Sequence, residues 1–267
     1  MLRTLRTVFM MGCLLGAARP VAGAELTPLS LQVDGRTRTA LAYFPDTVLP
    51  SGSPVVFVFH GHGGSAENLV KGFAIHEHWP EVICIYLQGL PTPSVLDPEG
   101  KESGWQKTAG EMGDRDLKFF DAMLADLQTH RKLDSRRIYA TGFSNGGFFT
   151  YALWAARGDV LAAVAPCAAI AGENLPSLKP KPCLHIAGQR DRLIAFRSQQ
   201  ETMAAVRRLN GCEETGQPWN PGPKIVVTYY PSSTGTPFVS AIHIGGHIVP
   251  KSTGAWVVRF FKEQSKP

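Results

Sequence analysis

The sequence contains no Cys-x-x-Cys pair and no Cys–His spacing of the kind that holds zinc, so it carries neither a redox-dithiol motif nor a structural-metal motif. It has no block of like charges and no basic stripe interleaved with aromatics, so the electrostatic footprint of a nucleic-acid binder is missing. No apolar run is long enough to span a bilayer. There is also no internal repeat, no low-complexity tract and no linker that divides residues 25–267.

What is present starts with an amino terminus that reads as an export signal. Arg3 and Arg6 lead into the apolar stretch from Val8 to Ala18, and Ala22-Gly23-Ala24 supplies small residues for cleavage after Ala24. Residues 1–24 are therefore expected to be a signal peptide, with the product exported to the periplasm or medium. A lipid-anchor reading would use Cys13, but Met10-Met11-Gly12 before it is a poor lipobox, so no membrane anchor is expected. The formal net charge is +5. Residues 1–24 hold three arginines and no acid, so removing them leaves +2. The remaining 243 residues suit one domain with a sizeable core.

Cys84, Cys167, Cys183 and Cys212 stay in that domain. Export would permit pairing, and no connectivity is singled out. The first three lie in or beside strand-like apolar runs and read as buried thiols. Cys212, in Asn210-Gly211-Cys212, is the most exposed candidate.

Runs Leu29–Val33 and Arg38–Phe44 alternate across Asp34-Gly35, a β-hairpin signal. Pro54–Phe59 and Val82–Tyr86 are continuous apolar runs, the mark of strands buried on both faces. Leu161–Ala165, Cys183–Ala187, Ile225–Tyr230 and the alternating Ala241–Ile244 are further strands. Helices are expected from Ala66 to about His76, from Asp116 to about Arg131, over Arg197–Leu209 and over Thr253–Phe261. Residues from Gln88 to about Gly113 form a long Pro- and Gly-rich loop, a length that is usually functional or disordered. A hairpin followed by strands alternating with helices predicts an α/β fold. Its central sheet is mostly parallel, with helices on both faces.

The chain is organised around Tyr139–Gly147. A short strand at Arg136–Ala140, a turn with Gly142, Ser144 and Gly146, and an apolar helix from Phe148 fit the G-x-S-x-G elbow. The serine sits on a sharp turn, so its neighbours two before and two after must be small. The helix then starts beside it and turns its free N–H groups toward developing negative charge. In doubly wound sheets ligands bind beyond the carboxyl ends of strands. Three places there hold reactive residues, in the order Ser, acid, His of the α/β-hydrolase fold. His60-Gly61-His62-Gly63-Gly64 follows a strand. Its backbone, through His62, is expected to pair with the Asn145 amide as an oxyanion hole. A metal reading of His60 and His62 meets two side chains that point opposite ways and no carboxylate close by in sequence. Asp191 follows the strand ending at Ala187 and could orient an imidazole; an ion pair with Arg190 or Arg192, or a helix cap, is its alternative use. His247 sits on Gly245-Gly246, between the last strand and the last helix, where a loop-borne base belongs. His243 competes with it but lies inside a strand, as does His185. Ser144, Asp191 and His247 are the expected nucleophile, orienting acid and base, with no metal or organic cofactor. Trp105, in the long loop, could form a substrate wall or simply anchor the loop to the core.

Taken together, several stretches make the chain resemble the exported polyhydroxybutyrate depolymerase-like and feruloyl-esterase-like α/β-hydrolases. They are Arg38…Tyr43-Phe44-Pro45, Pro54–Gly61, Asp114…Asp116…Phe119-Phe120, Asp134…Arg137-Ile138-Tyr139, Gly142–Gly147, Gly188…Asp191…Ile194, Leu209–Cys212 and Gly245-Gly246-His247…Pro250. The resemblance covers nearly all of 25–267. It implies carboxylic ester hydrolysis and supports Ser144, Asp191 and His247 individually. The chain departs from the family where Ile248-Val249 stand in place of Thr-Trp after the histidine, and where Ala187 stands in place of His before the acid loop. With no second module expected for gripping a solid polymer, small or oligomeric esters are the expected partners: short-chain, feruloyl-type or hydroxyalkanoate oligomer esters. A poly(3-hydroxybutyrate) depolymerase proper and a non-catalytic binding domain on a hydrolase fold are the alternatives. A prolyl-oligopeptidase-type peptidase would need a gating propeller, which is missing from the sequence.

Overall fold

A computed structural model of the chain describes residues 25–219 and 225–267. The expected signal peptide, residues 1–24, lies outside the described residues. Among the described residues, twelve strands and six α-helices follow one another: β1 (Thr27–Val33), β2 (Arg36–Tyr43), β3 (Ser53–Phe59), α1 (Ala66–Phe73), α2 (Ile75–His78), β4 (Ile83–Leu87), β5 (Leu90–Pro91), β6 (Ser103–Gly104), α3 (Arg115–His130), β7 (Leu133–Phe143), α4 (Asn145–Arg157), β8 (Ala163–Cys167), β9 (Cys183–Gly188), α5 (Phe196–Leu209), β10 (Gln217–Pro218), β11 (Ile225–Tyr230), β12 (Phe238–His243) and α6 (Thr253–Lys262).

Ten strands form one sheet in the order β1-β2-β4-β3-β7-β8-β9-β12-β11-β10. The six from β4 to β12 run parallel. Antiparallel pairs close both ends, with β1–β2 against β4 on one side and β11–β10 against β12 on the other. Parallel strands need crossovers, and the helices that make them cover both faces, as the alternation of elements predicts.

Strand β3 shows why the middle of the sheet is buried. All seven of its residues are closed from solvent. Val55, Phe57 and Phe59 face the layer of α3, α4 and α5. Val56 and Val58 face α1, α2 and α6. Each large side chain so buried stabilises the fold by roughly 2–3 kcal/mol against leaving it exposed. Strand β7, which ends at the serine turn, lies between β3 and β8. Its carboxyl end is thereby held in the middle of one sheet edge.

Three expectations are corrected in detail. The helix from Ala66 breaks at Ala74, which adopts the left-handed conformation at φ 44°. The amino end of α6 crosses so close to that break that a Cβ on Gly254 would fall on the Phe73 carbonyl oxygen. The long loop after Gln88 is not structureless, because β5 and β6 pair within it. The elbow strand is longer than the expected Arg136–Ala140, since β7 runs from Leu133 to Phe143.

Candidate active site

The Ser144 turn is built by close backbone approach. Ser144 has φ 53° and ψ −119°, a conformation that costs free energy in an L-residue and survives only where the surroundings enforce it. Its N–H donates to the Cys167 carbonyl at 2.9 Å, and its own carbonyl accepts from Phe148 at 3.0 Å, the first bond of α4. A Cβ on Gly146 would lie 2.2 Å from the Phe59 carbonyl oxygen, and one on Gly142 would lie 2.4 Å from the Gly146 oxygen. Both positions therefore require glycine for space.

The acid and the base are delivered by two loops zipped together. Gln189 and Arg190 donate their N–H groups to the carbonyls of His243 and Gly245, at 2.8 and 2.9 Å. A Cβ on Gly188 would strike the Gly246 carbonyl oxygen at 2.3 Å. This packing brings His247 between the other two residues. His247 Nδ1 lies 2.8 Å from Asp191 Oδ2, and Nε2 lies 2.8 Å from Ser144 Oγ. The Phe143 ring packs against the imidazole at 4.8 Å between centroids. The three side chains named from sequence meet, although 103 residues separate Ser144 from His247.

Asp191 is buried, and its carboxylate is fully engaged. Oδ1 accepts from the amides of Leu193 and Ile194 at 3.0 and 2.9 Å, and Oδ2 also accepts from Gln199 Nε2 at 3.1 Å. It makes no ion pair with Arg190 or Arg192 among the described residues. Gln199 escaped the sequence reading because it sits on an amphipathic helix with nothing to mark it. The competing histidines are committed elsewhere. His243 is buried and accepts from the Gly245 amide through Nδ1. His185 meets the Tyr151 hydroxyl at 2.7 Å. Burial lowers the pKa of His243, and pushes that of His185 down to about 4.

The loop after β3 supplies backbone rather than side chains. His60 is buried with its pKa pushed down to about 4 by desolvation. Both ring nitrogens are used: Nδ1 donates to the Gly61 carbonyl at 2.7 Å, and Nε2 accepts from the Gly89 amide at 2.9 Å. Gly63 and Gly64 donate to the carbonyls of Ser103 and Gly61. Among the described residues, the amides of His62 and Asn145 donate to no protein acceptor. His62 Nε2 lies 3.2 Å from Ser94 Oγ and 3.4 Å from Asp97 Oδ2, while its Nδ1 is buried without a partner.

A cleft of about 250 Å³ opens at this point. Ser144, Asn145 and His62 line it together with Ser94, Val95, Leu96, Lys107, Phe148, Leu193 and Ile194. A larger hollow, about 390 Å³ between β1, β2 and α1, contains no nucleophile beside a base, so size alone does not locate the site.

Trp105 requires a correction. Its ring is fully buried, stacks on Phe149 at 5.4 Å and donates from Nε1 to the His60 carbonyl at 2.9 Å. It has no face to offer a substrate and instead anchors the loop. The Asn145 side chain completes that anchor. Its Oδ1 accepts from the Trp105 amide at 2.7 Å, and its Nδ2 donates to the Trp105 carbonyl at 3.0 Å. Sequence pointed to Asn145 only for its amide; the side-chain clamp depends on a contact 40 residues away.

No protein-family model matches the chain. It is 34% identical over 196 residues to "Putative esterase NocK" of Nocardia uniformis subsp. tsuyamanensis, which covers 67% of this chain and 52% of that protein. It is 25% identical over 254 residues to feruloyl esterase D of Neurospora crassa, covering 87% and 84%. It is also 31% identical over 159 residues to feruloyl esterase C of Emericella nidulans, covering 56% and 55%. The chain thus spans about half the length of two of these three relatives. Among solved structures, an acetyl xylan esterase from Aspergillus awamori superposes with TM-score 0.66 at 14% identity, covering 88% of this chain and 99% of that one. The feruloyl esterase module from Clostridium thermocellum, as a mutant complexed with sinapinate, gives 0.62 at 11%, covering 93% and 95%. At such identities the structural likeness speaks for the fold. Taken with the sheet order, it gives this chain the α/β-hydrolase fold, and in sequence the chain is similar to feruloyl esterases and to an esterase of Nocardia.

Proposed function

We propose that the chain is an exported serine carboxylic ester hydrolase that works through an acyl-enzyme. Its substrates in this reading are short-chain, feruloyl-type or hydroxyalkanoate oligomer esters. The observation that carries the reading is the hydrogen-bonded series Ser144–His247–Asp191, two contacts of 2.8 Å each, opening on a cleft beside two uncommitted amides. In the mechanism, His247 Nε2 takes the Ser144 proton as Oγ attacks the ester carbonyl. Asp191 holds the Nδ1–H tautomer and stabilises the imidazolium. The amides of His62 and Asn145 receive the oxyanion, where preorganised donors are worth several kcal/mol, about 3 for one donor. His247 then protonates the leaving alcohol. Water, deprotonated by the same imidazole, releases the acid. Residues 1–24 act as the export signal, and 25–267 form the catalytic domain.

A fluorophosphonate probe and a panel of esters of varied acyl group test this reading. The wild-type chain is expected to label at Ser144 and to turn over at least one ester class. Ser144→Ala is expected to lose labelling and to lower kcat by about 10³-fold or more, with its thermal melt unchanged. A pure, folded wild-type protein that never labels would instead point to a binding domain on a hydrolase fold.

A second reading, poly(3-hydroxybutyrate) depolymerase proper, is favoured by one feature. Val95, Leu96, Leu193 and Ile248 are exposed apolar residues at or beside the cleft, with Val95 at 89%. Release of soluble acid from polymer granules at a rate comparable to the best small ester would establish it.

A further inference from the structure

We infer that Lys107 is a specificity-determining residue that receives a carboxylate of the substrate, so that the preferred ester carries a free acid group within reach of its scissile bond. The inference rests on the hydrolase reading above and concerns the far side of the same cleft.

Apart from the serine and the polar residues beside it, the cleft wall is apolar: Val95, Leu96, Phe148, Leu193 and Ile194. Lys107 is its one permanently charged member. Among the described residues its Nζ makes no hydrogen bond and no ion pair; it lies 5.9 Å from the centroid of the Phe148 ring. Three acids near the cleft are engaged by other groups. Glu111 accepts from the amides of Lys107 and Thr108, Asp97 faces His62 and accepts from the Glu102 amide, and Asp191 holds His247.

The position is also held firmly. Three consecutive residues are fixed by side chains from elsewhere in the fold. Asn145 clamps both backbone groups of Trp105. Asp116 accepts from the Gln106 amide at 2.9 Å. At Lys107 the amide is bound by Glu111 at 2.6 Å and the carbonyl by Asn174 at 2.8 Å. The base of the lysine is therefore set, and its ammonium stands over the Phe148 ring. A ligand that fills the cleft strips water from this half-exposed ammonium, a cost that an anion in contact with it offsets. With no protein carboxylate in contact, the group that meets it on binding is an anion of the ligand. The lysine takes no part in bond making; the bond broken is still the ester.

The full chain tests this with two series of 4-nitrophenyl esters. One series is the monoesters of glutaric, adipic and suberic acid, and the other replaces the free acid by its primary amide. The ratio of kcat/KM for acid over amide does not depend on how much active enzyme a preparation holds. In wild type the ratio is expected to reach about tenfold for at least one chain length, and to fall toward one in half-molar sodium chloride. Lys107→Gln is expected to bring it to about one, and Lys107→Arg to retain most of it. A wild-type ratio of one or less at every length overturns the assignment, as does a ratio that survives both Lys107→Gln and salt. Failure to hydrolyse either series, the neutral amides included, would instead remove the hydrolase reading on which the assignment stands.

Discussion

At the residue scale, the site separates side chains that do chemistry from side chains that hold them. Asn145 belongs to both accounts, with an amide left for the oxyanion and a side chain that clamps Trp105, whereas Trp105 only holds. Trp105 is buried and bonded on its ring and on its backbone, so Trp105→Ala opens a large cavity in the core. The expected cost is about 4 kcal/mol, read as a fall in the urea midpoint. A variant of wild-type stability with altered ester preference would restore the substrate-wall role. Gln199 is a positioning residue, one step behind Asp191. The carboxylate keeps its two amide donors when Gln199 is lost, so Gln199→Leu is expected to lower kcat by about tenfold and leave KM near its wild-type value. An unchanged kcat would show that the two amides suffice.

At the scale of elements, the decisive contact is that of β7 and α4 with the end of β3. It is made through glycine, and the elbow tolerates no alternative. A methyl on Gly146 would have to share the space of the Phe59 carbonyl. Gly146→Ala is therefore expected to destabilise the protein by about 3 kcal/mol or to abolish soluble expression. Gly72→Ala, at an open position of α1, is expected to leave stability equal or slightly higher. Equal melting temperatures for the two variants would contradict the packing described. The elements themselves were largely legible in sequence. Continuous apolar runs marked β3 and β4, a D-G turn marked the first hairpin, and a 3.6-residue period marked α3. The break at Ala74 and the pairing of β5 with β6 were not legible. Both follow from what packs on them, the amino end of α6 in one case and the loop after β3 in the other.

At the scale of the whole molecule, burial of histidines couples stability to pH. His60 and His185 are buried in neutral form, each with its pKa pushed down to about 4 from the ordinary 6.5. Burial lowers His76 and His243 in the same direction. Between those two values the unfolded chain binds protons that the folded chain does not. The stability that these groups confer is therefore complete above about pH 6.5 and is lost as pH falls toward 4. His60 and His185 should each cost on the order of 2 kcal/mol between pH 7 and pH 5. Urea midpoints at these two pH values are expected to differ in that sense, and His185→Asn is expected to reduce the difference. A flat profile would mean that the rings are hydrated in solution. Among the described residues, no helix is long and apolar enough to cross a membrane.

The order Ser144, Asp191, His247 could be read along the chain, because each follows a strand and the sheet sends the carboxyl ends of parallel strands to one edge. The glycines beside Ser144 could be read too, because a strained turn next to a crossing strand leaves no room for a Cβ. What lines the cleft was decided only in three dimensions. Trp105 and Lys107 stand two residues apart in one loop, yet Trp105 is closed into the core and Lys107 is left facing the cleft. No local pattern distinguishes them. Asn145 and Asn174, distant in sequence, and Asp116, at the start of the following helix, hold that loop from outside.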